Sequence, residues 1–248
     1  MRLLPLLLLL LAATLAQAQP QPDYAREQRW AEEITPGLVV GDAVYLTQKS
    51  GHKFLAIYTA AAKPRAAVIV VHGVGVHPDW ALIGALRSGL ADQGYTTLSV
   101  QMPVLAASAK GEEYPALFAD ASERLKAAVA YLSTKGHHTI ALVSHSMGSR
   151  MSNFFLTRSP DNGIAAWASI GISSGEFADP AKLRLPVLDI YGERDFPQVL
   201  KNADARAATL KLLKGSAQIE VAGADHYFAG SERELVRQVR QFLDQKFK

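Results

Sequence analysis

Residues 143–150 read VSHSMGSR, with an apolar run at 140–143 leading in and a helical pattern at 147–158 leading out. Ser146 therefore stands on a strand-to-helix corner, with small residues, Ser144 and Gly148, two places before and after it. A corner that tight holds its middle residue in strained backbone geometry and pushes the side chain off the sheet's edge. It also sets the hydroxyl at a helix N-terminus, where free N–H groups and the dipole favour developing negative charge. By itself the S-x-S-x-G string equally describes a serine N-cap. The flanking strand and helix make it a candidate nucleophile.

A serine hydroxyl attacks only when a base takes its proton. Of seven histidines, His226 in GADHYF follows the last short strand pattern and precedes the closing helix. That makes it the candidate base. His145 adjoins Ser146 and is expected to point elsewhere, His137 and His138 to lie in a surface turn, and His52 to be exposed in a hairpin. The base needs an acid to fix its tautomer. VLDIYGERD, residues 187–195, ends in Asp195 at the C-terminal end of a strand, where open α/β sheets place their sites. Asp189 falls within the strand and reads as structural, Glu193 is the second choice, and Asp225 is too close in sequence to face His226. Two N–H groups should hold an oxyanion: that of Met147, and that of Val74 in the loop HGVG, where Gly73 allows close approach.

Positioning these groups requires strands alternating with helices. Continuous apolar runs at 66–71, 95–101, 138–143, 164–172 and 186–191 read as strands buried on both faces. Helical patterns at 79–94, 114–135, 147–158 and 198–213 separate them, a short strand follows at 217–221, and an amphipathic helix at 231–247 closes the chain. Before this comes a helix at 23–34 capped by Asp23, then an alternating hairpin at 38–47 and 53–60 around Ser50-Gly51. The fold class is α/β: a mostly parallel sheet with an antiparallel N-terminal hairpin and helices on both faces, in one domain over 37–248. The hairpin strand at 38–47 is a candidate sheet edge.

Composition narrows the function classes. The chain has 248 residues, 49% hydrophobic and 20% charged, with net charge +3 and no run of five basic residues. A nucleic-acid binder would need a concentrated basic stripe. No cysteine is present, which excludes disulfides, thiol chemistry and a lipid-modified cysteine. Residues 1–18 read as a signal peptide: Arg2, an apolar stretch to about Leu15, then Ala16-Gln17-Ala18. The expectation is a periplasmic or secreted protein cleaved near Ala18, with 19–36 as linker and short helix and no stable membrane insertion. No cofactor is expected. The glycine loop lacks the G-K-[ST] of a phosphate loop, and His72, His77 and Asp79 match no zinc spacing.

VIVVHGVG, LVSHSMGS, VLDIYGERD and GADHYF together resemble the α/β-hydrolase superfamily, over roughly residue 38 to the end. HGVGVHPDW with LSVQMPVLA is similar to a poorly characterised bacterial group of exported hydrolase-like proteins. Ser144 stands where the superfamily pattern has glycine. The resemblance implies the order Ser146, Asp195, His226 as a catalytic triad. It also implies a lid after the strand that follows the nucleophile helix, where 173–185 is too short for a helical cap. The cleft should be open or covered only by loops 76–80 and 103–115, with Gly73, Trp80, Met102, Leu105, Tyr114, His145, Phe177, Phe196 and Tyr227 as candidate lining. The implied activity is a serine carboxylesterase on small-molecule or polymer-attached acyl groups. An acyltransferase on the same triad and a non-catalytic envelope binding protein remain open, as does the oligomeric state.

Overall fold

The computed structural model describes residues 20–247, so the signal-peptide expectation for 1–18 lies outside the described residues. The apolar runs become the centre of one eight-stranded sheet in the order β1-β2-β4-β3-β5-β6-β7-β8. Its strands are β1 (Asp42–Thr47), β2 (Lys53–Thr59), β3 (Ala67–Val71), β4 (Thr96–Val100), β5 (Ile140–His145), β6 (Ile164–Ile170), β7 (Val187–Arg194) and β8 (Ala217–Asp225). β2 pairs antiparallel with both β1 and β4, and every other pairing is parallel. β3, β4 and β5 are buried at every residue, as unbroken apolar runs demand of strands covered on both sides.

The helices cover both faces: α1 (Tyr24–Ile34), α2 (Ala81–Asp92), α3 (Phe118–Thr134), α4 (Met147–Arg158), α5 (Pro197–Lys201), α6 (Ala203–Leu210) and α7 (Glu232–Lys246). One core layer joins Leu125, Leu132, Met151, Phe155 and Trp167. The other joins Leu82, Leu86, Leu90, Val239 and Phe242 under α2 and α7. Among the described residues no helix is long and apolar enough to cross a membrane.

Element boundaries shift for identifiable reasons. β1 starts at Asp42 rather than residue 38. Gly41 turns the chain at φ +82°, pressed so closely on β2 that a Cβ there would sit 2.9 Å from the Tyr58 carbonyl. Pro115 tightens the first turns of the expected 114–135 helix into a 3₁₀ segment, Gly111–Leu117, before α3 begins. The expected 198–213 helix splits into α5 and α6 at Asn202, whose side chain donates to the Gln198 carbonyl. β5 runs on through Ser144 and His145 because β6 pairs with it as far as Ile170. β1 is an outer strand of the sheet.

Two buried arginines lock the periphery. Arg124 on α3 donates to both carboxylate oxygens of Glu27 (2.8 and 3.0 Å), to Gln48 and to the Gln101 carbonyl. This ties α1 to the sheet, and Asp23 caps that helix through the Arg26 N–H, 2.9 Å away. Arg206 on α6 donates to Asp189 in β7 (2.8 Å) and to the carbonyls of Gly175 and Val199.

Candidate active site

β5 ends at His145, α4 begins at Met147, and Ser146 between them has φ 57° and ψ −119°. For a residue with a Cβ, such geometry costs about 1–3 kcal/mol and persists only where surroundings impose it. Here the Ser146 N–H donates to the Ile170 carbonyl (2.9 Å), and its carbonyl accepts from the Ser149 N–H (3.0 Å). The flanking residues must be small for measurable reasons. A Cβ at Gly148 would lie 2.9 Å from the Val71 carbonyl oxygen and closer still to that of His72. Ser144 keeps its hydroxyl because Trp167 Nε1–H donates to it (2.7 Å), which accounts for serine where the superfamily pattern has glycine.

His226 follows β8 and Asp195 follows β7, so adjacent parallel strands deliver both to the same end of the sheet as Ser146. His226 Nδ1 lies 2.6 Å from Asp195 Oδ1, and Nε2 lies 3.0 Å from Ser146 Oγ. With the carboxylate at Nδ1, the proton belongs there, leaving Nε2 to accept from the serine hydroxyl. Asp195 also accepts from the Phe196 N–H (2.7 Å), and the Phe196 ring stacks on His226 with centroids 3.8 Å apart. Gly171 makes room for the dyad, since a Cβ there would come within 2.9 Å of Asp195 Oδ2. The three side chains thus form one hydrogen-bonded line, buried at Asp195 and His226 and opening at Ser146 into a cleft of ≈ 540 Å³.

Val74 and Met147 both line that cleft beside Ser146, and a Cβ on Gly73 would sit 3.1 Å from the Ser146 Cβ. The Met147 N–H belongs to the first turn of α4, where backbone donors have no helical acceptor.

Trp80, His145, Phe196 and Tyr227 line the cleft as expected, and Tyr227 packs edge-on against Trp80 at 5.9 Å. Met102, Leu105, Tyr114 and Phe177 do not. All four are buried in the core layer around α3 and α4. Met102 lies two residues past the end of β4, but its N–H is drawn inward to His72 Nε2 (2.8 Å) and its side chain goes with the core. The other acidic candidates are occupied elsewhere. Asp189 is fully buried against Arg206, Glu193 accepts from the Gly223 N–H, and Asp225 caps its own turn at Tyr227 and Ala229. His52 is half-buried rather than exposed, stacked on Tyr24 at 3.7 Å. His137 is half-buried within 3.4 Å of the Tyr58 hydroxyl, and His138 is exposed.

Two further histidines are held neutral. His72 donates from Nδ1 to the Gly73 carbonyl (2.8 Å) and accepts the Met102 N–H, and full burial pushes its pKa down to about 3. His145 donates from Nε2 to the His226 carbonyl (2.9 Å), and burial, then the neighbouring His226, pushes it down to about 3. With both nitrogens of His72 committed, it offers nothing to a metal. Among the described residues no three His, Asp or Glu side chains cluster closely enough to hold one.

The sequence reading missed Arg150, Ser173 and Gln198 in the cleft wall. Arg150 was detectable, because it lies one helical turn after Ser146. Ser173 lies in the loop after β6, and no periodicity marks it.

A family model described as a protein of unknown function, DUF3530, matches residues 3–117. No curated protein matches the chain. Among solved structures it is similar to a protein of unknown function from Agrobacterium tumefaciens described as an alpha/beta hydrolase. That pair is 20% identical, with a TM-score of 0.66 over 82% of this chain and 95% of that one. A dienelactone hydrolase from Anabaena variabilis is 18% identical, with a TM-score of 0.67 over 84% and 98%. A serine hydrolase without lid from Xanthomonas campestris is 17% identical, with a TM-score of 0.62 over 84% and 95%. The strand order, the corner at Ser146 and these likenesses agree: the chain has the α/β-hydrolase fold, without a large lid domain.

Proposed function

We propose that this protein is a serine hydrolase that cleaves a carboxylic ester through an acyl-enzyme on Ser146, and that it acts in the periplasm or outside the cell after cleavage near Ala18. The observation that carries the reading is the line Ser146–His226–Asp195, at 3.0 and 2.6 Å, on a strained corner. The hydrolase likenesses support it.

In this reading Ser146 Oγ attacks the acyl carbon while His226 Nε2 takes its proton. Asp195 stabilises the imidazolium and keeps it in register. The N–H groups of Met147 and Val74 hold the oxyanion, and one such donor contributes about 2.7–4 kcal/mol to the transition state. His226 then protonates the departing alkoxide. In the second half it takes a proton from water, which attacks the acyl-enzyme and releases the acid. No step needs a metal or organic cofactor. The loop that would carry a lid holds only the short 3₁₀ turn Pro180–Lys182, so the cleft admits acyl groups attached to bulky carriers.

The test is turnover of a panel of nitrophenyl esters by the mature chain and by Ser146→Ala. The reading expects hydrolysis with a burst of nitrophenol, and a loss of about 10⁴-fold or more in the variant. Equal rates for the two proteins would reject it. Release of an ester or amide instead of the acid, when an alcohol or amine is supplied, would move the assignment to acyl transfer.

A further inference from the structure

Among the described residues, the buried and half-buried arginines have partners, with one exception. Arg124 pairs with Glu27 and Arg206 with Asp189, Arg87 pairs with Asp79 and the Val40 carbonyl, and Arg26 reaches the Leu105 carbonyl. Arg150 makes no hydrogen bond and no ion pair among the described residues, and only the Phe118 ring, 5.5 Å away, faces its guanidinium. Burial without a counter-charge pulls its pKa below the usual arginine range. Its N–H donors are not sealed in the fold but open to the solvent side, where a ligand can reach them.

Arg150 lines the same cleft as Ser146. Ser173, which also lines this cleft, donates its backbone N–H to the Ser146 carbonyl at 3.5 Å, while its hydroxyl is buried without a partner. Nearby carboxylates leave the cation unpaired. Glu112 is exposed on the cleft's loop wall and Glu176 is exposed in a smaller crevice behind Arg150, while Asp179 is taken by Arg158 and Lys182.

We propose that Arg150 and Ser173 form an anion subsite, and that the ester cleaved at Ser146 carries a carboxylate or phosphate a few bonds from its scissile carbonyl. The substrate part of this rests on the serine-hydrolase reading above. A guanidinium grips such a group with two parallel N–H donors, and the Ser173 hydroxyl supplies a third. The position, one turn of α4 beyond the nucleophile, suits acyl or alcohol portions of succinate to glutarate size.

The experiment compares matched esters. 4-Nitrophenyl hemiglutarate against 4-nitrophenyl pentanoate places the charge on the acyl side. 3-Carboxyphenyl butyrate against phenyl butyrate places it on the alcohol side. The expected result is a preference for the anionic member of one pair, about tenfold to a hundredfold in kcat/KM, as charge-assisted hydrogen bonds give. Arg150→Gln should collapse that ratio by about tenfold or more, Arg150→Lys should retain part of it, and Ser173→Ala should reduce it less. No preference in either pair, or a ratio unchanged by Arg150→Gln, overturns the proposal. A second readout needs no turnover: calorimetric titration of Ser146→Ala with glutarate and with inorganic phosphate at constant ionic strength, beside Ser146→Ala/Arg150→Gln. Binding present in the first and lost in the second supports the subsite even if no ester is cleaved, in which case only the hydrolase reading fails. Absent or equal binding removes the subsite.

Discussion

Strand β7 and the residue that follows it hold two buried carboxylates six residues apart, and they have opposite surroundings. Asp189, in mid-strand, is enclosed: Arg206 and Gln218 both donate to it at 2.8 Å, and a second Arg206 nitrogen is held by the backbone carbonyls of Gly175 and Val199. Asp195, just past the strand's end, binds one nitrogen of His226, whose other nitrogen faces a hydroxyl on the wall of an open cleft. Both are carboxyl groups taken out of water and paired, so burial and pairing do not by themselves distinguish a structural acid from a chemical one. What separates them is whether the partner has a second face left to work with. A guanidinium that spends its donors inside the fold stabilises a shape, while an imidazole with one nitrogen on a carboxylate can pass a proton with the other.

The sharpest test of that contrast replaces each acid by its amide. Asp195→Asn keeps the shape but lets His226 settle in the wrong tautomer. Its ester turnover is expected to fall by about 10⁴-fold, while its melting temperature changes little. Asp189→Asn leaves Arg206 a buried, uncompensated cation. It is expected to lose about 3 kcal/mol or more of stability in urea unfolding while its folded fraction keeps near-normal turnover. If the two swapped profiles, the division of labour along β7 would be wrong.

The next effect is steric. Gly148→Ala places a methyl group against the carbonyls of Val71 and His72. The corner must open, so turnover per folded molecule is expected to fall by about a hundredfold and stability by about 2 kcal/mol or more. A fully active Gly148→Ala would show that the corner's tightness is dispensable.

A further effect comes from the two enclosed histidines. His72 and His145 bind protons near 6.5 when unfolded but only near 3 when folded. Between those values the unfolded chain therefore holds more protons, and acid favours unfolding. Stability is complete above about pH 6.5 and falls toward pH 3, at about 1.4 kcal/mol per pH unit for each histidine. Denaturant titrations at pH 7, 6 and 5 check the slope. His72→Gln, which keeps an acceptor for the Met102 N–H, should remove one histidine's share. The smallest effect belongs to Glu193→Gln, which touches only an exposed turn and should change ester turnover less than about twofold.

Much of this molecule was legible in its sequence because its strands are buried on both faces. Runs such as AVIVV and IALVSH leave little choice of element. Ser146 and Asp195 could be singled out because each lies just past such a run, and His226 because it follows the partly exposed last strand; parallel strands bring all three to one end of the sheet. Side-chain direction past a strand's end was not legible. Met102 and Phe196 both follow strands closely, yet Met102 turns into the core, its N–H pulled inward by His72, while Phe196 lies over His226 in the cleft. Helical spacing could have placed Arg150 beside the cleft, whereas nothing in the sequence marks Ser173. What marks them is a missing partner, and a missing partner appears only once the chain is folded.

The central claim is that Ser146 is activated by His226 and Asp195. Its most direct test is fluorophosphonate labelling of the purified mature protein, with peptide mapping by mass spectrometry, beside Asp195→Asn. The account predicts one adduct, on Ser146, formed much more slowly in the variant. A folded protein that takes no label, or takes it at Ser146 equally fast without Asp195, would contradict it.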